Sequence, residues 1–261
     1  MGMGLRLAVF VVLGSLSLSL GCATEQSAPT PKQYSRKERA IMLVNIANGA
    51  LGEGDATGAL QNLARAEVEY SDLPALHHSR ALAYFSKHDL PAAIESAKRA
   101  VELDSNYSDA NNTLGKLLMD ASRYQEAIPF LMSAAKDSLY RDGYKAWTNL
   151  GILKYRLGEL HLANTYFDRA VLDSPDRSCV AYFFRGQIKQ RNYKLNEAIE
   201  DLNRATKKLC ANYGEAQLAL GLAYQKNRDY NSARKTFLEI QKRYPDTKWA
   251  QQAMSQLKYL P

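Results

Sequence analysis

The pattern of apolar and polar positions is helical almost throughout, and it is clearest in residues 147–175, WTNLGILKYRLGELHLANTYFDRAVLDSP. Trp147, Leu150, Gly151 and Tyr155 fall at i, i+3, i+4 and i+8, one face of a helix. After a turn at Leu157-Gly158-Glu159, Ala163, Phe167 and Ala170 make a second face at i, i+4 and i+7. Pro175 stops that second helix, because proline lacks an N–H donor and clashes with the preceding helical turn. Small Gly151 and Ala163 oppose large Trp147 and Phe167, so the two helices can approach closely and interdigitate.

One helix pair cannot bury its own apolar face, and the chain supplies neighbours. Small residues recur in the slot of Gly151 at Ala47, Ala81, Gly115, Gly186 and Gly221. In the slot of Ala163 they recur at Ala59, Ala93, Ala127, Ala198 and Ala233, with steps of 34, 34, 36, 35 and 35 residues. Two series drifting together through six units define an internal repeat. Its order (Trp, Leu-Gly, Tyr, Ala, Phe, Ala, Pro) resembles the tetratricopeptide repeat, or TPR, whose period is about 34 residues. The expected fold is all-α: a TPR solenoid of six helix-turn-helix repeats at about 40–73, 74–107, 108–143, 144–178, 179–213 and 214–246. A lone amphipathic helix at 247–259, with Trp249, Ala253 and Leu257 on its apolar stripe, has the polar outer faces that a solenoid cap requires.

Upstream of the repeats the periodicity disappears. Arg6 precedes an apolar run, LAVFVVLGSLSLSLG, about as long as a secretory h-region and shorter than a membrane span of about 20 residues. It ends at Ser19-Leu20-Gly21-Cys22, which resembles a lipobox, although Ser19 stands where leucine is favoured. That resemblance implies a lipoprotein signal peptide at 1–21 and a diacylated Cys22; an ordinary signal peptide with a coincidental cysteine is the alternative. Ala23, in place of aspartate, implies sorting to the periplasmic face of the outer membrane through the lipid anchor. Residues 22–37 are rich in Ser, Thr, Pro and Gln and read as a flexible tether to a TPR domain at 38–261.

The remaining cysteines are Cys179 and Cys210. Cys179 opens the first helix of the fifth repeat and Cys210 lies just past the end of its second. Those ends lie side by side in an antiparallel hairpin, so a disulfide is expected if the chain is exported; two buried free thiols are the alternative. Without a nearby histidine the pair gives no metal-ligand set.

No catalytic constellation, metal site or cofactor motif is found. His77, His78, His88 and His161 have no HExxH spacing and read as surface residues, and GxSxG and P-loop patterns are absent. Gly52-Glu53-Gly54 lacks the following Lys-Ser/Thr and reads as a repeat turn. The formal charge is +7, falling to +6 once Arg6 leaves with the signal. The cations are spread over polar helix faces, with tight pairs at Lys207-Lys208 and Lys242-Arg243. Such a balance permits attraction to anionic envelope polymers or lipid head groups; a solvated basic surface is the simpler reading. Neither a nucleic acid nor a small-molecule substrate is expected.

In a TPR superhelix the first helix of each repeat lines the concave face. Reading those positions gives Val44, His78, Asn112, Thr148, Phe183 and Leu218 as the first slot of each repeat, with others behind them. Large apolar residues at Leu82, Phe85, Ile152, Tyr155, Phe183 and Leu222 predict a groove for an amphipathic helix or an apolar peptide end; packing against neighbouring second helices is the alternative for each. The sequence of lipobox, tether, six repeats and terminal helix resembles the PilF/PilW/Tgl family of type IV pilus pilotins. The cysteine pair, in CVAYFFRG and KKLCANYGEA, looks most like the social-motility (Tgl) branch. The resemblance implies a non-enzymatic outer-membrane lipoprotein that promotes multimerisation of the type IV pilus secretin. A TPR lipoprotein adaptor for periplasmic proteases or peptidoglycan hydrolases, similar to NlpI, is the alternative.

Overall fold

A computed structural model describes residues 34–261. The signal segment 1–21, Cys22 and the tether as far as residue 33 lie outside the described residues. The described chain is all-helical, with thirteen α-helices and one short 3-10 turn. Six consecutive hairpins pair α1 (Arg36–Gly52) with α2 (Ala56–Glu69), α3 (Pro74–Ser86) with α4 (Leu90–Leu103), and α5 (Ser108–Asp120) with α6 (Tyr124–Lys136). They continue with α7 (Gly143–Arg156) and α8 (Leu160–Asp173), α9 (Cys179–Arg191) and α10 (Leu195–Arg204), then α11 (Gly214–Lys226) and α12 (Tyr230–Arg243). The last helix, α13 (Lys248–Leu257), closes the series.

Each hairpin closes through its small residues. Gly151 lies so near Phe167 that a Cβ there would stand 2.4 Å from the ring, and Gly221 stands in the same relation to Phe237 at 2.5 Å. The alanines opposite, from Ala59 through Ala233, are fully buried. Close backbone approach at these positions is what lets Phe167 and Phe237 fill the hairpin interior without leaving a void. The hairpin turns obey the same register. Gly54, His88, Ser122, Gly158, Tyr193 and Arg228 all have positive φ, one per repeat, at spacings that follow the alanine series. Only Gly54 and Gly158 adopt that conformation without steric cost. Asp55, Asp89 and Asp229 then accept backbone N–H bonds three residues on, at 2.8, 3.1 and 3.1 Å, and start the second helices.

The first helix begins earlier than the composition of the tether predicts. Ser35 and Glu38 form a reciprocal capping box: Glu38 N–H donates to Ser35 Oγ at 3.2 Å, and Ser35 N–H donates to Glu38 Oε2 at 2.7 Å. Residues 36 and 37, read as tether, are therefore helical. The S-x-x-E spacing carries that signal locally, whereas apolar periodicity starts only at Ala40.

Successive first helices touch one another (α1 with α3, α3 with α5, α5 with α7, α7 with α9, α9 with α11), and successive second helices make no comparable contact. The first helices thus line the inner face of the curve. α13 packs across α12 and α11, covering Phe237 and Ile240 with Ala253 and Leu257. Among the described residues no helix is long and apolar enough to cross a membrane.

Candidate protein-binding face

The inner face joins a ladder of polar bridges to patches of apolar surface. Ser79 Oγ donates to Asn48 Oδ1 at 2.6 Å between α1 and α3, and Asn149 Nδ2 donates to Asn112 Oδ1 at 2.9 Å between α5 and α7. Tyr155 Oη donates to Gln187 Oε1 at 3.0 Å between α7 and α9. Between α3 and α5, His78 lies 3.0 Å from Thr113 Oγ1 through Nε2 and 3.2 Å from Tyr107 Oη through Nδ1. Burial holds His78 below the usual histidine range, and a neutral ring fits both contacts, one nitrogen donating and the other accepting.

His77, its neighbour, is buried and donates through Nε2 to the Ser71 carbonyl at 2.8 Å. Asn111 and Gln217, at the same repeat position, donate to the carbonyls of Ser105 and Ala211, again six residues back. These three replace the aromatic residue at the head of the first helix and tie down the loop between repeats. The expectation that His77 and His78 are surface residues is thereby corrected: both are structural, because each side chain finds a partner in an adjacent loop or helix. His88 and His161 are exposed.

The six candidate groove residues divide. Leu82 and Phe85 are exposed, at 36 % and 38 %, and the Lys116 ammonium sits over the Phe85 ring 4.3 Å from its centre. Ile152, Tyr155 and Leu222 are half-buried. Arg191 lies over the Tyr155 ring at 4.8 Å, while Phe184 meets its edge at 5.0 Å. Phe183 is a correction. It is 2 % exposed, held between the rings of Phe184 and Tyr213 in the core of repeats five and six. The cause is positional, since Val44, Thr148 and Leu218 in the same first slot are buried too. That slot lies under the first helix of the adjoining repeat. A hollow of about 240 Å³ remains beside it, bordered by Leu222, Trp249, Glu215 and Lys248.

Cys179 and Cys210 form a disulfide, with Cα atoms 5.4 Å apart. It joins the first residue of α9 to the 3-10 turn Lys208–Cys210 that comes after α10. Within the same repeat, Asp201 on α10 is buried and takes ion pairs from Arg185 and from Lys189, the latter at 2.8 Å. Neither of these two ion pairs is legible from repeat spacing. Among the described residues no group of three or more His, Cys, Asp or Glu side chains could hold a metal ion.

Comparison with known proteins agrees with this architecture. Family models described as tetratricopeptide repeat match residues 112–178 and 215–247. The type IV pilus assembly protein PilF of Pseudomonas aeruginosa is 26 % identical over 189 residues, which cover 71 % of this chain and 74 % of that protein. The solved structure of Pseudomonas aeruginosa PilF superposes with a TM-score of 0.73 at 18 % identity, covering 85 % of this chain and 99 % of that one. PilW, described as a widely conserved type IV pilus biogenesis factor, gives 0.73 at 18 % identity and covers 82 % and 98 %. A repeat series legible in the sequence, built as six hairpins and matched by repeat models and solved solenoids, makes the chain an all-α tetratricopeptide-repeat solenoid similar to the type IV pilus proteins PilF and PilW.

Proposed function

We propose that the chain is a type IV pilus biogenesis factor of the pilotin kind, close to the Tgl branch, that promotes multimerisation of the pilus secretin. It acts by binding protein and carries out no reaction of its own. Sequence similarity to PilF over most of both chains carries this reading, because six-repeat architecture alone is common to many partners. The inner face supports it physically. Leu82 and Phe85 leave apolar area uncovered, while the polar ladder holds successive first helices in a fixed curve, so an amphipathic helix would meet a preorganised surface.

The test is paired. Phe85→Glu should leave melting within about 0.5 kcal/mol of the parent, as surface substitutions do. It should also deplete secretin multimers in membranes of the producing strain. Normal multimers with Phe85→Glu and Ile152→Glu proteins that melt normally would remove the groove from the proposal.

The reading includes an anchor on Cys22, motivated by the apolar run that ends at Gly21-Cys22. A Cys22→Ala protein should fold and melt as the parent does and leave the outer-membrane fraction. Retention there, or fatty-acid labelling that survives the substitution, counts against lipidation at this residue.

A further inference from the structure

The net positive charge of the chain is concentrated at one end. Residues 201–261 hold eleven Lys and Arg against five Asp and Glu, whereas the first 200 residues hold 23 against 22. Repeat six, the turn before it and the capping helix therefore carry almost the whole net charge.

On the outer face this charge meets a recess. A cleft of about 360 Å³ runs between the second helices α10 and α12, with α11 at its floor; Lys207, Lys235 and Arg243 line it against one carboxylate, Glu239. A second cleft of about 430 Å³ adjoins it through Asn203 and Lys207 and adds Arg204 and Lys208, with Asp176 and Glu200. Lys208 is paired with Asp176 at 2.8 Å, and Arg243 donates to Asn212 at 2.8 Å. Arg204, Lys207 and Lys235 have no ion-pair partner among the described residues. Glu200 and Glu239 lie one helical turn from Arg204 and Lys235 and can swing to them, but Lys207, shared by both clefts, has no such neighbour on its own element.

The floor adds an independent observation. Gln217 is 6 % exposed and spends its Nε2 on the Ala211 carbonyl, which leaves Oε1 buried without a hydrogen-bond partner. A buried acceptor of this kind lacks an N–H or O–H donor.

We propose that this outer cleft of repeats five and six docks an acidic, extended segment of a protein partner, on the side opposite the apolar inner face. An acidic peptide brings carboxylates for Lys207, Lys235 and Arg204 and backbone N–H donors for the cleft floor on a single chain. A recess between two helices suits a single extended chain better than the planar surface of a lipid headgroup layer. Charge complementarity of this kind sets the association rate and the register of a partner.

The probe is a fluorescent deca-glutamate peptide titrated into the purified full-length protein at low and physiological salt. Binding should weaken with salt, and Lys207→Ala with Lys235→Ala should lower affinity at least about tenfold. Lys242→Ala with Lys258→Ala removes the same charge from outside the cleft and should lower it no more than about threefold. Both pairs are exposed, and melting of each double variant checks that the fold is kept. Equal losses in the two double variants, or no measurable peptide binding by the parent, overturn the proposal. So does cleft-dependent binding of polygalacturonate or of vesicles containing phosphatidylglycerol that exceeds binding of the peptide, since either assigns the cleft to a different class of partner.

Discussion

Phe183→Glu should unfold the fifth repeat, not simply weaken a partner. The ring is 2 % exposed and lies 5.2 Å, centre to centre, from both Phe184 and Tyr213. Truncating a buried phenylalanine costs about 3–5 kcal/mol. Glutamate also puts a carboxyl into an apolar cluster, with Glu215 across the neighbouring hollow, and an unmet buried polar group costs about 1–3 kcal/mol more. The sum approaches the total stability of a typical domain, about 5–15 kcal/mol. Since about 1 kcal/mol moves the melting temperature by roughly 2–4 °C in a chain of this size, the melt should fall by more than about 10 °C. Phe85→Glu is the matched control, because its ring is 38 % exposed with Lys116 beside it, so the new carboxylate stays solvated and near a cation. Matching melts for the two variants would mean that Phe183 belongs to the surface after all.

The contrast between these two rings shows how far the sequence could be read. A slot count assigns both to the inner face, and the count is right about the helix face. It does not report that the first slot is buried in repeats one, four, five and six and half-buried in two and three, which is a property of how repeats stack. The small-residue series was legible because a fixed requirement, close approach of two backbones, leaves a fixed residue type behind: Gly151 and Gly221 against Phe167 and Phe237. The turn geometry was only partly legible. Gly54 and Gly158 announce a left-handed residue, but His88, Ser122, Tyr193 and Arg228 adopt it with no compositional sign. The polar bridges were not legible at all. Each joins residues 29 to 37 apart, from His78 with Tyr107 to Asn112 with Asn149, and no single-repeat pattern couples such pairs. His77, Asn111 and Gln217 were hidden for a related reason. Three different side chains perform one task, binding the carbonyl six residues back, so no single letter recurs in the slot.

Breaking the Cys179–Cys210 bridge should produce the second large effect, and a local one. The bridge closes a loop of sequence separation 31. In the chain-entropy account, cross-linking a loop of that size stabilises the folded state by about 3–4 kcal/mol, before any offset from residual structure in the reduced chain. Local structure gives the bridge further work. α10 has ten residues where the other second helices have 13 or 14, and it runs into a short 3-10 turn instead of another helical turn. With fewer helical hydrogen bonds, that segment relies on the bridge, on the Lys208–Asp176 pair and on burial of Ala205 to stay against the hairpin. Because a solenoid is stabilised largely by contacts between neighbours, loosening the end of repeat five also releases repeat six and α13. A Cys179→Ala, Cys210→Ala protein should therefore melt roughly 6–16 °C lower. Limited proteolysis should then cut first between residues 204 and 214, leaving an N-terminal fragment that ends just after α10. Reduction of the parent should reproduce the shift, which separates loss of the cross-link from any cavity left by the missing sulfur atoms. An unchanged melt in both the reduced parent and the double variant would show that packing and ion pairs alone hold the fifth repeat.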